Sequence, residues 1–256
     1  FLILFFEGSE ALGVFNQLYA IYVITGQVAV WGLHDSVLKH TSQYTNSEEQ
    51  DILCTAACYC VAFTGAIGAI LLFLFSGFIG DLFQSENVQK GIYYLSPGIF
   101  FFVVNKVLIA IFNGKQQMKY FALSSSIRAF SIFLFCVYFV YSETPYSVFG
   151  LAFTFSEILL FVVVLLLRPT KVLFQQVRFK QWTYRHLNFG TKSVVHGLLS
   201  EAFIRVDILM LGIFLSDQHV GIYSFAAFFV EGIYQIPVVI RNLNNPILVK
   251  MLIKKN

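Results

Sequence analysis

The stretch YSVFGLAFTFSEILLFVVVLLL, from Tyr146 to Leu167, contains a single charged residue, Glu157. About 20 predominantly apolar residues in a helix are enough to cross the hydrocarbon core of a bilayer. The rest of the chain has the same character, because 57% of its residues are hydrophobic and only 12% are charged, which lies well outside the range of soluble domains. The stretch is therefore predicted to be a transmembrane helix of an integral membrane protein.

Apolar runs of similar length recur along the chain between short polar loops, and they lack the ten-residue alternation of a membrane barrel. The predicted fold is therefore all-α, a polytopic bundle of transmembrane helices. Seven fuller spans are predicted, near Gly13–Leu33, Ile52–Phe75, Ile92–Phe112, Phe121–Tyr141, Tyr146–Leu167, Lys192–Leu215 and Gly221–Ile240. The opening FLILFF is expected to be the tail of a truncated first helix, and the C-terminus is expected to be cut as well.

Basic residues fall mainly in alternate loops. One set of loops includes the segment 168–189, which carries five basic residues and no acidic one, whereas the other set holds only Lys90. The positive-inside rule assigns the first set to the cytoplasm. Segment 168–189 is predicted to be a basic cytoplasmic linker, either an ordinary loop or a surface that contacts anionic lipid. His34, His40, His186 and His219 are predicted to lie in loops.

A short repeat suggests two related halves. Gly13, Val14 and Phe15 align with Gly221, Ile222 and Tyr223, and each triplet follows a short acidic loop and opens a new span. Repeated halves around a midplane site are common in secondary transporters. The predicted division is an N-terminal lobe over residues 1–167, the linker 168–189, and the start of a C-terminal lobe over residues 190–256.

Three segments carry a resemblance to a known family: Leu12–Tyr44, Ile111–Ala129 (IFNGKQQMKYFALSSSIRA) and Leu187–Ala226. They resemble the polysaccharide-repeat-unit, or O-antigen, flippases of the multidrug/oligosaccharidyl-lipid/polysaccharide exporter superfamily. The resemblance implies a MATE-like fold, with two six-helix lobes around a cationic cavity. It also implies transport of undecaprenyl-pyrophosphate-linked oligosaccharide across the cytoplasmic (inner) membrane. The partners so implied are the lipid-linked oligosaccharide, membrane lipid and other membrane proteins of polysaccharide assembly.

The span that contains AFIRVDILMLGIF, Ala202–Phe214, carries Glu201, Arg205 and Asp207. Its apolar residues favour insertion by roughly 5 kcal/mol, and its three charges oppose insertion by roughly 8 or 9 kcal/mol. These side chains are therefore expected to face protein or a water-filled cavity. Glu201 and Arg205 lie four residues apart and can pair along the helix, and arginine suits a pyrophosphate because its planar fork binds phosphate oxygens in pairs.

Other charges inside spans complete the predicted site. Arg205, Arg128 and Lys106 are the expected substrate-binding cations, although Lys106 and Arg128 also lie near enough to span ends to reach the interface. The acids are expected either to pair with bases or to carry coupling ions or protons. These acids are Glu201, Asp207, Glu157 and Glu231.

Two other functions stay open at this point. A multidrug antiporter of the same superfamily would favour acids over bases in the first lobe. A membrane enzyme, either a polysaccharide polymerase or an acyltransferase, is the alternative from another class, and for the acyltransferase only His196 offers a buried histidine. No catalytic residue, cofactor, metal site or nucleic-acid interface is predicted, since no Gly-rich phosphate loop or nucleophilic triad is evident.

Overall fold

A computed structural model describes residues 2–44, 46–167, 169–172, 176–230, 232–234 and 236–237, and within these ranges it contains helices and no strand. The all-α prediction is thereby confirmed. The helices are α1 (Leu2–Ala29), α2 (Leu33–Gln43), α3 (Ser47–Leu74), α4 (Ser76–Leu82), α5 (Glu86–Gly114), α6 (Met118–Tyr141), α7 (Phe149–Leu167) and α8 (Gln176–Phe214). A 3-10 turn, Tyr146–Val148, precedes α7, and residues 217–230 are also helical.

Four helical stretches in the described part of the chain are long and apolar enough to cross a membrane. They are Ser47–Leu74, Glu86–Gly114, Met118–Tyr141 and Tyr146–Leu167. Each coincides with a predicted span, so the chain is a multi-pass membrane protein. The predicted spans in α1, in α8 and after Gly221 do not meet the same criterion and stay predictions.

Helix α5 is the centre of the bundle. It packs against α1, α2, α3, α4 and α7, and its buried residues extend from Val88 to Gly114. A helix that is apolar on all faces is stable when it is surrounded by other helices. Asn105 and Lys106, in the second half of α5, therefore lie inside the protein, whereas Glu86 and Lys90 in its first turns are exposed.

Two breaks divide the first helical region. Gly8 has φ 86° and ψ −176° within α1, and it separates the short first helix from the next span, as the polar EGSE predicts. Trp31 and Gly32 have φ of 50° and 65° and separate α1 from α2. The prediction of a loop at His34 and His40 is wrong, because α2 continues the helical path and buries Leu33 and Val37 against α3 and α5.

Helix α8 is long and includes most of the segment predicted as a linker. Residues 176–189 are helical and continuous with the predicted span that follows, so His186 also lies in a helix, as does His219. The amphipathic pattern explains this difference, because Trp182 and His186 are buried while Arg178 pairs with Glu49 at 3.1 Å. Arg168, at the start of that segment, lies outside the described residues.

The aligned glycines of the sequence repeat contact each other. A Cβ built on Gly13 would overlap the carbonyl oxygen of Asp217, and a Cβ built on Gly221 would overlap that of Ser9. Asp217 and Ser9 each lie four residues before the opposite glycine, and each Cβ position is 3.0 Å from the opposite glycine nitrogen. The contact is therefore reciprocal, as expected where two helices cross on a local pseudo-two-fold axis, and small residues permit such close approach.

Candidate functional site

Glu157 on α7 is the best-connected charge in the described part of the bundle, and its side chain is fully buried. Its Oε1 lies 2.7 Å from Nε of Arg128 on α6 and accepts a hydrogen bond from the Tyr22 hydroxyl. Its Oε2 accepts a 2.7 Å hydrogen bond from Nδ2 of Asn105. Because losing one partner of a buried charge pair is strongly destabilising, we expect Arg128 to remain paired with Glu157.

Lys106 lies on α5, one residue after Asn105. Its ammonium donates a hydrogen bond to the side-chain oxygen of Gln27 and lies 5.6 Å from the ring centre of Phe102. The guanidinium carbon of Arg128 lies 5.1 Å from the same ring centre. The structure therefore brings Lys106, Arg128 and Glu157 together around α5, and each of the two cations already has a protein partner.

Arg205 on α8 has weaker partners. Its Nε lies 4.0 Å from Oε2 of Glu201, the outer limit for an ion pair. The guanidinium also stacks on Tyr19, 4.3 Å from the ring centre, which is close enough for cation–π attraction. The N–H at Nε of Arg205 is nevertheless buried and donates to no partner among the described residues. Nε of Arg128 also lacks a hydrogen bond of good geometry among the described residues, but it lies 2.7 Å from the Glu157 carboxylate. Arg205 differs in that its ion pair is at 4.0 Å and its side chain lines a cavity.

That cavity has a volume of about 690 Å³ and lies between α1, α6, α8 and the helix 217–230. We call it the Arg205 cavity. It is mostly apolar and aromatic, and the side chains that line it include Phe15, Asn16, Tyr19, Phe133, Ser224 and Phe228. Ligand sites of this kind are typically apolar with a few polar groups that fix orientation. The Arg205 cavity has that composition.

The remaining predicted acids lie apart from this cavity. Asp207 accepts a hydrogen bond from the Tyr223 hydroxyl and lines a separate pocket with Phe203 and Ile204. Glu201 is about one-third exposed and faces Arg205. Glu231 lies outside the described residues. The predicted acids are thus distributed over several surroundings and do not form one cluster.

Uncharged polar residues complete the buried network, and the charge-based prediction missed them. Tyr22, Gln27 and Asn105 are all buried and all bond to one of the predicted charges. Amides inside apolar runs would have been the available signal, because Asn105 directly precedes Lys106 and Gln27 closes an apolar span. Side-chain amides in such spans need a partner for the same reason that charges do.

No metal centre is evident in the ranges that the structure describes, since these contain no group of three His, Cys, Asp or Glu side chains that could hold an ion. The four cysteines are free thiols. The chemistry of the interior therefore consists of ion pairs, amide hydrogen bonds and aromatic contacts.

Membrane-length helices around a charged, hydrogen-bonded interior define a multi-pass α-helical membrane protein with polar groups inside its bundle. The chain belongs to the polysaccharide biosynthesis protein family, whose sequence profile matches residues 6–250. This match confirms the family resemblance of the three segments described above and supports a membrane transporter that acts in polysaccharide biosynthesis. No curated protein and no solved structure gives a significant match.

Proposed function

We propose that the protein moves an undecaprenyl-pyrophosphate-linked oligosaccharide across the cytoplasmic membrane by alternating access. In this mechanism residues 1–167 and 190–256 belong to two lobes that rock about their contact, and the basic segment between them lies on the cytoplasmic side. Transport of this kind exposes one site to each side in turn. The reciprocal contact of Gly13 with Gly221 supports such a two-lobe arrangement.

The proposal rests on the surroundings of Arg205, namely its burial, its unpaired donor and the cavity beside it. Its guanidinium borders a cavity of about 690 Å³, is nine-tenths buried, and keeps an unmet donor at Nε. A buried charged donor without a partner is costly, so a ligand that supplies oxygen acceptors relieves that cost. Phosphate oxygens match the fork of an arginine in both charge and geometry.

The other predicted residues receive supporting roles in this proposal. Arg128 and Glu157 hold the interior of the first lobe together as a charge pair, with Lys106 held nearby by Gln27. Glu201 orients Arg205, and Asp207 joins α8 to the following helix through Tyr223. Glu231 is kept as a candidate for ion coupling or charge pairing.

Flux of a fluorescent lipid-linked oligosaccharide in reconstituted vesicles tests the role of Arg205. We expect Arg205→Ala to lower the rate about 10- to 100-fold, because charge-assisted hydrogen bonds contribute about 1.5–3 kcal/mol. Arg205→Lys should retain an intermediate rate, since it keeps the charge and loses the planar fork. Val206→Ala is the matched control, because Val206 is on the same helix and its side chain is 46% exposed.

Wild-type flux in Arg205→Ala, with protein of unchanged unfolding temperature, would contradict the proposed role. If the membranes instead consumed an activated sugar or acyl donor without moving lipid-linked glycan, the protein would be an enzyme and not a flippase.

A further inference from the structure

We propose that a groove on the outside of the bundle binds one acyl chain of an anionic glycerophospholipid from the cytoplasmic leaflet, with the lipid phosphate at Lys180. We call it the α3 groove. It lies between α1, α3, α4 and α8, and among the described residues it shares no lining side chain with the Arg205 cavity. The inference goes beyond the proposed function and does not depend on it, because this lipid is a bound neighbour and not the cargo.

The α3 groove is almost wholly apolar. Its volume is about 610 Å³, and its walls include Val28 and Ala29 of α1, Ile67 and Leu71 of α3, and Leu187 of α8. No charged side chain lines it in the part of the chain that the structure describes. Hydrocarbon surrounds such a surface in a bilayer, and an unfilled groove forfeits dispersion contacts that a fitting chain restores. The lining therefore selects a hydrocarbon chain.

The groove opens toward the bilayer. Helix α3 is long and apolar enough to span a membrane, and 28% of its apolar window is buried inside the protein, against 78% for α5. The exposed side chains of Ile67, Leu71 and Phe75 lie along the groove. From Thr64 to Phe75 the chain rises about 16 Å at 1.5 Å per residue, roughly half of the ~30 Å hydrocarbon thickness of a bilayer. One acyl chain of one leaflet fits this length.

A basic and aromatic helix face continues from one end of the groove. Tyr184 and Lys180 precede Leu187 by three and seven residues on α8, a spacing that places all three on one face of the helix. All three are exposed. Lys180 forms no ion pair with a described residue, whereas Arg178 binds Glu49 at 3.1 Å. An apolar, then aromatic, then basic order is typical of the end of a span, where tyrosine lies at headgroup level and lysine extends to the lipid phosphates.

The charge at this end of the groove is complementary to an anionic headgroup. Lys180 belongs to the basic segment 168–189, which the positive-inside rule assigns to the cytoplasm. The cytoplasmic leaflet carries anionic lipids that attract basic residues near its surface. A phosphate at Lys180 places the attached acyl chain at Leu187, where the groove begins. An anionic diacyl lipid thus satisfies both the cation and the apolar lining.

Trp31 forms the side wall of the groove between α1 and α8. Its indole N–H donates to Oγ1 of Thr191 on α8 at 3.1 Å, so its polar atom is satisfied and its ring, which is 39% exposed, faces the groove. The other tryptophan of the chain, Trp182, is 1% exposed. The fluorescence of Trp31 is therefore a direct reporter of a chain in the groove.

Quenching of this fluorescence by brominated lipids tests the assignment. The purified protein is reconstituted in phosphatidylcholine bilayers, and a growing fraction of the lipid is replaced by phosphatidylglycerol brominated in its acyl chains or, in a parallel series, by phosphatidylcholine brominated at the same positions. We expect half of the quenching at an about fivefold lower fraction of phosphatidylglycerol, which corresponds to the roughly 1 kcal/mol that one basic residue contributes at the membrane surface. Trp31→Phe should lose most of the quenching, because Trp182 is buried.

Variants locate the lipid to the groove. Lys180→Gln should lower the preference for phosphatidylglycerol from about fivefold to less than twofold, whereas Lys119→Gln should leave it unchanged, because Lys119 is an exposed lysine on the same predicted side of the membrane and outside the groove. Ile67→Phe places a ring in the groove and should raise the fraction needed for half-quenching at least threefold. Ile70→Phe is its matched control, because Ile70 is exposed on the same helix and outside the lining.

Recovery of fluorescence on addition of unbrominated phosphatidylglycerol would support the site. An equal loss of preference in Lys180→Gln and Lys119→Gln would indicate diffuse attraction by the basic surface and overturn it, as would equal quenching in Ile67→Phe and Ile70→Phe. Recovery with farnesyl phosphate but not with phosphatidylglycerol would also overturn it, since the groove would then hold a prenyl chain. None of these readouts measures flux, so the result is independent of the role of Arg205 in transport.

Discussion

Replacing Gly13 with alanine should destabilise the protein through a single interhelical contact. The new Cβ would lie 2.8 Å from the carbonyl carbon of Asp217, in addition to overlapping its oxygen. The carbonyl carbon would already be closer than the 3.5–4.0 Å or so that non-bonded carbons prefer, and the oxygen would be closer still, so the two helices would have to move apart by more than about 1 Å. The backbone of Asp217 is held by hydrogen bonds from Gln17 at 2.8 Å and Ser85 at 2.6 Å to its carboxylate, so this movement also strains those bonds.

The expected cost follows from the geometry. Overpacking of this kind typically costs about 1–3 kcal/mol, which corresponds to a fall in unfolding temperature of roughly 3 to 10 °C for a chain of this size. Gly221→Ala should cost about the same, because its Cβ would lie 2.7 Å from the carbonyl carbon of Ser9. The double variant should cost less than the sum, since the first substitution already separates the helices.

Thermal unfolding of detergent-solubilised protein, followed by intrinsic fluorescence, measures these differences. Gly232→Ala is the matched control, because no heavy atom described by the structure lies within 4 Å of the Cβ that it would add. It should be neutral or slightly stabilising, as expected for alanine in a helix. Equal unfolding temperatures for Gly13→Ala and Gly232→Ala, or strict additivity of the Gly13 and Gly221 substitutions, would refute the reciprocal contact.

Two further results are expected. Arg128→Ala and Glu157→Ala should each lower the free energy of unfolding by about 3–5 kcal/mol, because each leaves a buried charge unpaired. In denaturant unfolding the double variant should cost clearly less than the sum of the two single variants. Additive costs would contradict the ion pair. Burial lowers the pKa of His186 to about 4, below the ordinary 6.5. The neutral ring donates from Nε2 to the Leu53 carbonyl on α3 at 3.0 Å and accepts at Nδ1 from the Ser36 hydroxyl on α2 at 2.8 Å. The packing of residues 178–189 against α2 and α3 should therefore be most stable above pH 6.5. It should weaken as the pH falls toward 4, and hydrogen exchange in that segment should rise over this window and do so much less in His186→Gln.

Hydropathy and charge along the chain were sufficient to predict a membrane protein of bundled helices, because insertion depends on the local sum of transfer free energies. The same sum of transfer free energies indicated that Glu157 requires a polar environment, and Arg128, Tyr22 and Asn105 surround it. It misjudged where helices end, since it assigned His34, His40 and His186 to loops. Helical hydrogen bonding continues through amphipathic segments that pack on neighbouring helices, and a hydropathy window does not register that packing.

Only the tertiary structure identified the partner of each buried charged side chain. Arg128 lies 29 residues from Glu157 in the sequence, and Tyr22 lies 135 residues from it, so their contact depends on how α1, α6 and α7 are rotated about α5. The same holds for Arg205, whose unmet Nε beside an apolar cavity depends on packing against Tyr19. The sequence by itself determined that these charges must lie inside the protein, because transfer free energy depends only on the local run of residues. Only the packing of the helices decided which charges were neutralised there and which kept a donor for a ligand. Side-chain pairing requires proximity in space, which the sequence does not specify.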